Sequence, residues 1–182
     1  MNISRKIGVM VIDDHPLMRV GIGAIINARK DMSVVAQAGT GEEALELYRR
    51  HQPDIVLMDL RLPGGMSGVE AIRAIRSIEP SARFIVVTTY DGDEDIHRAL
   101  EAGAQGYVIK GMPYQTLVDA LLRVHSGGRF LPPPVARALA SRGLRERIAQ
   151  TNRSAPECLR RSARRRFGRE ARTRAASRTA NA

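Results

Sequence analysis

The sequence predicts an α/β fold with a doubly wound, five-stranded parallel sheet, and two patterns along residues 5–128 predict it. Short apolar runs without polar alternation recur about every two dozen residues, which is typical of strands buried on both faces of a parallel sheet. Between these runs, apolar residues recur at helical spacing, and Pro or Gly separates the segments. Strands and helices that alternate over such short connections favour right-handed crossovers and a doubly wound sandwich.

The predicted strands and helices alternate through the whole region. The strands cover residues 7–12, 32–38, 55–58, 83–88 and 107–110. The first helix begins at residue 16 and ends near residues 27–30, and the other helices cover residues 42–51, 69–79, 95–102 and 113–126. Proline is favoured in a first helical turn, so Pro16 marks the start of the first helix, with Asp14 or His15 as its cap. This helix would carry the apolar residues Leu17, Val20, Ile22, Ile25 and Ile26.

The composition is that of a soluble protein with one domain and an appendage, because the chain has 182 residues. No apolar stretch approaches the roughly 18 to 20 residues that a membrane helix needs, and the N-terminus has no signal-peptide pattern. Cys158 is the single cysteine, so the chain forms neither an internal disulfide nor a cysteine metal cage. We therefore expect a cytoplasmic protein that does not enter a membrane.

The basic charge is concentrated at the C-terminus. Residues 150–182 contain ten Arg against Glu157 and Glu170, whereas the rest of the chain is nearly balanced. This segment has too few large apolar residues to bury a core, so we expect an Arg-rich, disordered tail. The proline run at 132–134 marks a change of composition. We expect residues 129–149 to be a linker that can form a short helix.

Five polar side chains stand at the carboxyl ends of predicted strands. Asp13 and Asp14 follow the first strand, Asp59 follows the third, and Thr88 and Lys110 end the fourth and fifth. Sheets of this kind bind ligands outside these strand ends. Taken singly, each residue has an ordinary structural explanation as a helix cap, a turn residue or a strand end. Their convergence on one edge favours a phosphoryl-transfer site.

The chemistry of this set indicates a metal-assisted nucleophile. Clustered carboxylates repel one another unless a cation lies among them, and Mg²⁺ is a hard cation that takes oxygen ligands. Asp14 and Asp59 would bind Mg²⁺ directly, and Asp13 would bind it through a water. Asp59 would be the nucleophile that forms an acyl phosphate. Lys110 would pair with the resting carboxylate and with the phosphoryl group, and the Thr88 hydroxyl would donate to a phosphoryl oxygen.

Four motifs carry a resemblance to a known family. They are Asp13-Asp14-His15-Pro16, the run from Asp59 to Pro63, the run from Val87 to Tyr90, and the run from Gly106 to Lys110. Together they resemble the receiver domain of bacterial two-component response regulators. The segments 13–16, 88–91 and 125–133 resemble the NarL/FixJ (LuxR-type) subfamily in particular. The resemblance covers roughly residues 5–135 and implies a flavodoxin-like sheet with strand order 2-1-3-4-5.

The resemblance also implies roles for individual residues. Asp59 would accept a phosphoryl group from a sensor histidine kinase, and the main-chain carbonyl of Arg61 would be a further metal ligand. Thr88 and Tyr107 would form a switch pair, in which Thr88 moves towards the phosphoryl group and Tyr107 turns inward. This movement would reshape the face formed by the fourth helix, fifth strand and fifth helix, through which a homodimer could form. From the residues alone, Tyr107 is an ordinary half-buried strand aromatic.

Members of this subfamily normally continue into a helix-turn-helix DNA-binding domain. Residues 150–182 contain no recognisable pair of amphipathic helices, so we expect an output domain that is truncated or frameshifted. Two interpretations of the tail stay open. Its arginines could neutralise nucleic-acid phosphates without sequence preference, or the tail could be a translated remnant with incidental charge.

Two other functions also stay open. A stand-alone receiver would act through protein partners or as a sink for phosphoryl groups. A Mg²⁺-dependent, phosphatase-like hydrolase would use the same acidic crevice. The hydrolase would need a second acid near Asp59 to activate water, and Arg61 stands where such an enzyme would carry one.

Overall fold

The sheet confirms the predicted fold class and strand order. The computed structural model describes residues 5–89, 92–137 and 139–140. The strands are β1 (Ile7–Ile12), β2 (Met32–Ala38), β3 (Ile55–Met58), β4 (Phe84–Thr88) and β5 (Gly106–Ile109). They pair in parallel in the order β2-β1-β3-β4-β5.

Each strand is followed by a helix, as predicted. The helices are α1 (Pro16–Asn27), α2 (Gly41–His51), α3 (Gly68–Ile78), α4 (Asp93–Glu101) and α5 (Tyr114–His125). The start of α4 differs most, two residues earlier than predicted, and the other starts differ by at most one residue. Gly106, expected in a turn, is the first residue of β5 and pairs with Ile85. A Cβ at position 106 would lie 2.8 Å from the Ile85 side chain, so a glycine allows this close approach.

Both faces of the sheet are buried, which explains the apolar runs. The face that packs against α1 and α5 forms one buried cluster, whose strand residues are Ile7, Val9, Val11, Met32, Ile55, Leu57, Ile85, Val87 and Val108. The opposite face packs against α2, α3 and α4, and its strand residues include Met10, Ile12, Val56, Met58, Phe84, Val86 and Tyr107. The side chains of one strand alternate between the two clusters because successive residues of a strand point to opposite faces.

Helix α1 buries only part of its apolar set. Ile22 and Ile26, four residues apart, are 5% and 0% exposed and form the inward stripe. Leu17 and Val20 lie off this stripe and are 87% and 66% exposed. Apolar composition alone therefore overestimated the buried face of this helix.

The helix N-termini are satisfied in different ways. Ser67 and Glu70 form a complete capping box at α3. His15 is the N-cap of α1, but its side chain makes no capping hydrogen bond. Its ring lies against Asp14 instead, with Nδ1 and Oδ1 2.7 Å apart. The expected side-chain cap of α1 by Asp14 or His15 is therefore not formed.

Ordered packing continues beyond α5. The main chain of Phe130 bridges to Gly106 at the edge of β5. Residues 133–137 are helical, and Val135 within them is fully buried in the cluster that contains Tyr107. The domain core thus includes residues after position 128.

The described residues as far as Leu139 belong to one compact unit. The expected disordered tail and most of the second half of the expected linker lie outside the described residues, so both stay predictions. Within the ranges described above, no helix is long and apolar enough to cross a membrane.

We predict that Gly68→Ala destabilises the domain and Gly21→Ala does not. A Cβ at position 68 would overlap the Asp59 carbonyl oxygen and lie 2.8 Å from Leu60 Cα, whereas a Cβ at position 21 meets nothing within 4 Å. We expect Gly68→Ala to lower the free energy of unfolding by about 1 to 3 kcal/mol, as overpacking does. We expect the helical Gly21→Ala to raise it by up to about 1 kcal/mol. Urea unfolding followed by circular dichroism measures both, and equal effects would contradict the close approach at Gly68.

Candidate functional site

The sheet brings the predicted residues to one edge. Asp13 follows β1, Asp59 follows β3, and Lys110 follows β5, while Thr88 is the last residue of β4. Main-chain hydrogen bonds fix these ends. The Asp59 amide donates to the Ile12 carbonyl at 2.9 Å, and the Lys110 amide donates to the Thr88 carbonyl at 2.8 Å. The candidate site therefore lies at carboxyl ends of strands that main-chain hydrogen bonds hold together.

Lys110 is the counter-charge of two buried carboxylates. Its Nζ lies 2.8 Å from Asp13 Oδ2 and also donates to Asp59 Oδ2. Asp13 and Asp59 are 1% and 3% exposed. Two carboxylates this close would repel each other strongly without a cation between them. Lys110 thus neutralises part of the charge at this edge.

The charge state of Lys110 follows from the same contacts. Burial alone lowers the pKa of Lys110, because it disfavours the charged ammonium. The hydrogen bonds and charges of Asp13 and Asp59 outweigh burial, so the net effect is a raised pKa. Lys110 is therefore protonated throughout the neutral range. The stability that it contributes is complete below its ordinary pKa of 10.5 and is lost as the pH rises through the higher value of the folded protein.

The remaining carboxylate oxygens are held by loop amides. Asp59 Oδ1 accepts a hydrogen bond from the Arg61 amide at 3.2 Å. Asp13 Oδ1 accepts one from the His15 amide at 2.9 Å. Each buried acid thus faces Lys110 with one oxygen and its own loop with the other. This arrangement fixes the orientation of both carboxyl groups.

Asp14 is the third acidic residue of the site and lies on its solvent-facing side. Its side chain is 33% exposed, and its Oδ1 lies 2.7 Å from His15 Nδ1. Asp13, Asp14 and His15 lie close enough to share a metal ion, because their ligand atoms are all within 4.8 Å of one another. The carboxylate oxygens of Asp13, Asp14 and Asp59 fit a hard, oxygen-preferring divalent cation.

Two residues of the site were missed by sequence reasoning. His15 was considered only as a helix cap, although its ring lies against Asp14. The Arg19 guanidinium donates to the main-chain oxygen of Asp13. Arg19 stands one helical turn after His15, so its spacing could have indicated that it reaches back to this loop.

Thr88 and Tyr107 are both buried. Thr88 is 1% exposed at the end of β4, which lies between β3 and β5 in the sheet. Tyr107 is 0% exposed and pairs with Val86, two residues before Thr88. The half-buried environment expected for Tyr107 from the sequence is therefore wrong. Residues far along the chain, including Val135, belong to the same buried cluster.

Comparison with known proteins identifies the family of this fold and site. The family model of the response regulator receiver domain matches residues 9–122. The transcriptional regulatory protein LnrK of Bacillus subtilis is 38% identical over 141 residues, which cover 78% of this chain and 64% of LnrK. The nitrate/nitrite response regulator protein NarL of Escherichia coli is 36% identical over 145 residues, which cover 80% of this chain and 66% of NarL.

A solved structure gives the same result. A LuxR-family two-component response regulator from Aurantimonas sp. SI85-9A1 is 40% identical and superimposes with a TM-score of 0.72. The match covers 76% of this chain and 99% of that one. The chain therefore belongs to the response regulator receiver family, and its relatives are of the NarL and LuxR type. It spans just under two thirds of the length of LnrK and NarL.

We predict that Lys110→Ala destabilises the domain mainly because the carboxylates of Asp13 and Asp59 then repel each other without a cation between them. Removing one partner of a buried ion pair is costly, so the free energy of unfolding should fall by about 2 kcal/mol or more without divalent cations. Asp59→Asn in the same chain removes the repulsion and should restore part of the loss. Lys30→Ala, at an exposed position, serves as the control. Urea unfolding in EDTA measures all four proteins, and a double variant that is no more stable than Lys110→Ala would contradict this account.

Proposed function

We propose that this chain is a phosphoacceptor switch in a two-component system and that Asp59 receives its phosphoryl group from a sensor histidine kinase. The single observation that carries the proposal is the ion-paired set of Lys110, Asp13 and Asp59 at the carboxyl edge of the sheet. A buried carboxylate that is oriented by a loop amide and a lysine is suited to nucleophilic attack. Membership of the receiver family supports the same conclusion.

The proposed reaction is a direct phosphoryl transfer. An Asp59 carboxylate oxygen attacks phosphorus, the phosphorus–nitrogen bond of the kinase phosphohistidine breaks, and the histidine nitrogen keeps the electron pair. Mg²⁺, when bound, neutralises negative charge on the transferring group. Asp14, Asp59 and the Arg61 carbonyl would hold it directly, and Asp13 would hold it through a water.

The proposed role of Lys110 follows from its two ion pairs, with Asp13 and with Asp59. When Asp59 becomes an acyl phosphate, the ammonium exchanges its contact with the Asp59 carboxylate for one with a phosphoryl oxygen. It keeps its ion pair with Asp13, so it need not leave the site. A compact cation with three donors suits this exchange. Lys110 thereby neutralises both the resting and the phosphorylated state.

Thr88 and Tyr107 would convert phosphorylation into a change of shape. The Thr88 hydroxyl is a donor for a phosphoryl oxygen, and Tyr107 would move into the space that Thr88 leaves. The face that responds consists of α4, β5 and α5, and we propose that a second copy of the chain can bind there. This role is that of a switch, and the chain would catalyse only its own phosphorylation and dephosphorylation.

Control of transcription is proposed as the role of the complete regulator, because LnrK and NarL are named as regulators and this chain spans only part of their length. Residues 5–128 would be the receiver domain, 129–149 a linker whose first part packs into the domain core through Val135, and 150–182 an Arg-rich tail. Non-specific binding of nucleic acid by that tail is a separate proposal that depends on its ten arginines.

We predict that acetyl phosphate with Mg²⁺ adds one phosphoryl group to the protein and that Asp59→Asn abolishes the addition. Asparagine has no carboxylate nucleophile and is nearly the same size. Asp119→Asn, at an exposed position of α5, is the matched control and should be labelled like the wild type. Intact-mass spectrometry measures the result, and labelling of Asp59→Asn would refute the assignment.

We predict that Lys110→Ala still binds Mg²⁺ but loses the conformational response to phosphorylation. The proposed metal ligands are oxygens, so binding does not require the ammonium. The response would be lost because no cation joins Thr88, the phosphoryl group and β5. Isothermal titration with Mg²⁺ and the one-dimensional proton spectrum with acetyl phosphate test the two parts. A full spectral change in labelled Lys110→Ala would count against this role.

A further inference from the structure

The edge of the sheet where the strands begin is basic, whereas the candidate site at the opposite edge is acidic. Lys30 lies two residues before β2, and Lys6 and Arg83 lie directly before β1 and β4. Arg49 and Arg50 lie in the last turn of α2, which leads into β3. The four strands concerned are neighbours in the sheet. We name these five residues the basic row.

Main-chain hydrogen bonds hold the strand starts side by side. The Ile7 amide donates to the Asp31 carbonyl at 2.9 Å, and the Val56 amide donates to the Arg83 carbonyl at 2.9 Å. Arg49 and Arg83 line one surface cavity of about 370 Å³. Neighbouring strands are about 4.8 Å apart, so the starts of four strands span roughly 15 Å. The cations therefore form a row across the sheet.

The acidic residues of this edge are engaged with other partners. They form one short contact each: Asp31 with Arg29 at 2.8 Å, Asp54 with Arg5 at 2.9 Å, and Glu79 with the Ser81 hydroxyl at 2.6 Å. In the part of the chain that the structure describes, none of the five residues of the basic row forms an ion pair. The edge therefore keeps a surplus of positive charge.

The preference of helix ends for cations explains only part of this row. Basic side chains in a last helical turn are stabilised by the negative end of the helix, which accounts for Arg49 and Arg50. Lys6 and Arg83 stand directly before strands, and Lys30 lies beyond the C-cap of α1. The effect of a helix end falls off within the last turn, so it does not account for these three residues.

We propose that the basic row binds the phosphate backbone of duplex nucleic acid, so that the receiver domain itself contacts nucleic acid. This inference goes beyond the proposed function and does not depend on phosphorylation of Asp59. Duplex DNA carries one negative charge per about 1.7 Å of its axis, so roughly 15 Å of duplex offers about eight charges. Each cation of the row can therefore meet a phosphate.

The side chains of this edge favour the backbone of a duplex over unpaired bases. Single-stranded nucleic acid is bound largely through stacking on aromatic side chains. Tyr48 is the aromatic residue of the cavity beside Arg83, and it is only 7% exposed. Lys and Arg contacts to phosphates carry no sequence information, so we expect no sequence preference. The acidic carboxyl edge repels phosphates and would orient the domain with its basic row towards them.

The test is the salt dependence of binding to a fluorescein-labelled DNA duplex of arbitrary sequence, measured by fluorescence anisotropy on the full-length chain. The logarithm of the binding constant falls with the logarithm of salt concentration by about 0.9 for each phosphate neutralised. Two exposed pairs probe the two ends of the row: Lys6→Gln with Lys30→Gln, and Arg49→Gln with Arg50→Gln. Each pair should reduce the slope by about two and weaken binding at least about tenfold at about 0.1 M salt.

Matched controls separate the location of a charge from the total charge. Arg73→Gln with Arg98→Gln removes the same charge from exposed positions of α3 and α4 and should keep the wild-type slope. Asp31→Asn releases Arg29 from its ion pair and should strengthen binding at least about threefold at the same salt concentration. Asp119→Asn makes the same change of charge on α5 and should not. Loss of folded protein cannot produce such a gain.

The Arg-rich tail is present in every variant, so binding through the tail alone predicts equal slopes for all of them. Equal slopes would overturn the inference, and so would an effect of only one of the two pairs. A wild-type chain that does not bind the duplex, or that binds the single strand as tightly, would also overturn it. The phosphoacceptor function is tested separately, because labelling of Asp59 by acetyl phosphate should be the same in all these variants.

Discussion

The balance of charge around Lys110 is the constraint on which the rest of the site depends. Asp13 and Asp59 end adjacent strands and are almost completely buried, so the fold holds two like charges together where water cannot separate them. Lys110 reaches both from β5, across the end of β4. The strand order allows this geometry, because only the end of β4 lies between β3, which carries Asp59, and β5, which carries Lys110. The charge balance of the site therefore depends on the order of the strands.

Much of this arrangement could be predicted from the sequence because it depends on local patterns. Unalternated apolar runs identified the strands, and the topology of doubly wound sheets then brought the polar strand ends to one edge. Tyr107 and α1 show where such reasoning fails. The burial of Tyr107 involves residues nearly 30 positions further along the chain, and the exposure of Leu17 and Val20 depends on which stripe of α1 meets the sheet. Neither can be decided from neighbouring residues.

The segment after α5, residues 129–137, covers part of the open edge of the sheet. The outer edge of β5 presents unpaired amides and carbonyls, which attract other strands unless something covers them. Phe130 satisfies part of this edge, and Val135 covers the apolar surface beside it. A composition rich in proline at 132–134 concealed this packing, because prolines typically mark a break between ordered segments.

The main-chain hydrogen bond between Lys110 and Thr88 has a consequence for how such domains vary. Lys110, proposed to neutralise the phosphoryl group, and Thr88, proposed to sense it, are joined by one hydrogen bond of the sheet. In the proposed switch, a shift of one strand end is therefore passed to the other, which couples neutralisation of the phosphoryl group to its sensing. We expect substitutions that change only one of these two properties to lie elsewhere, in side chains that reach the site from loops and helices.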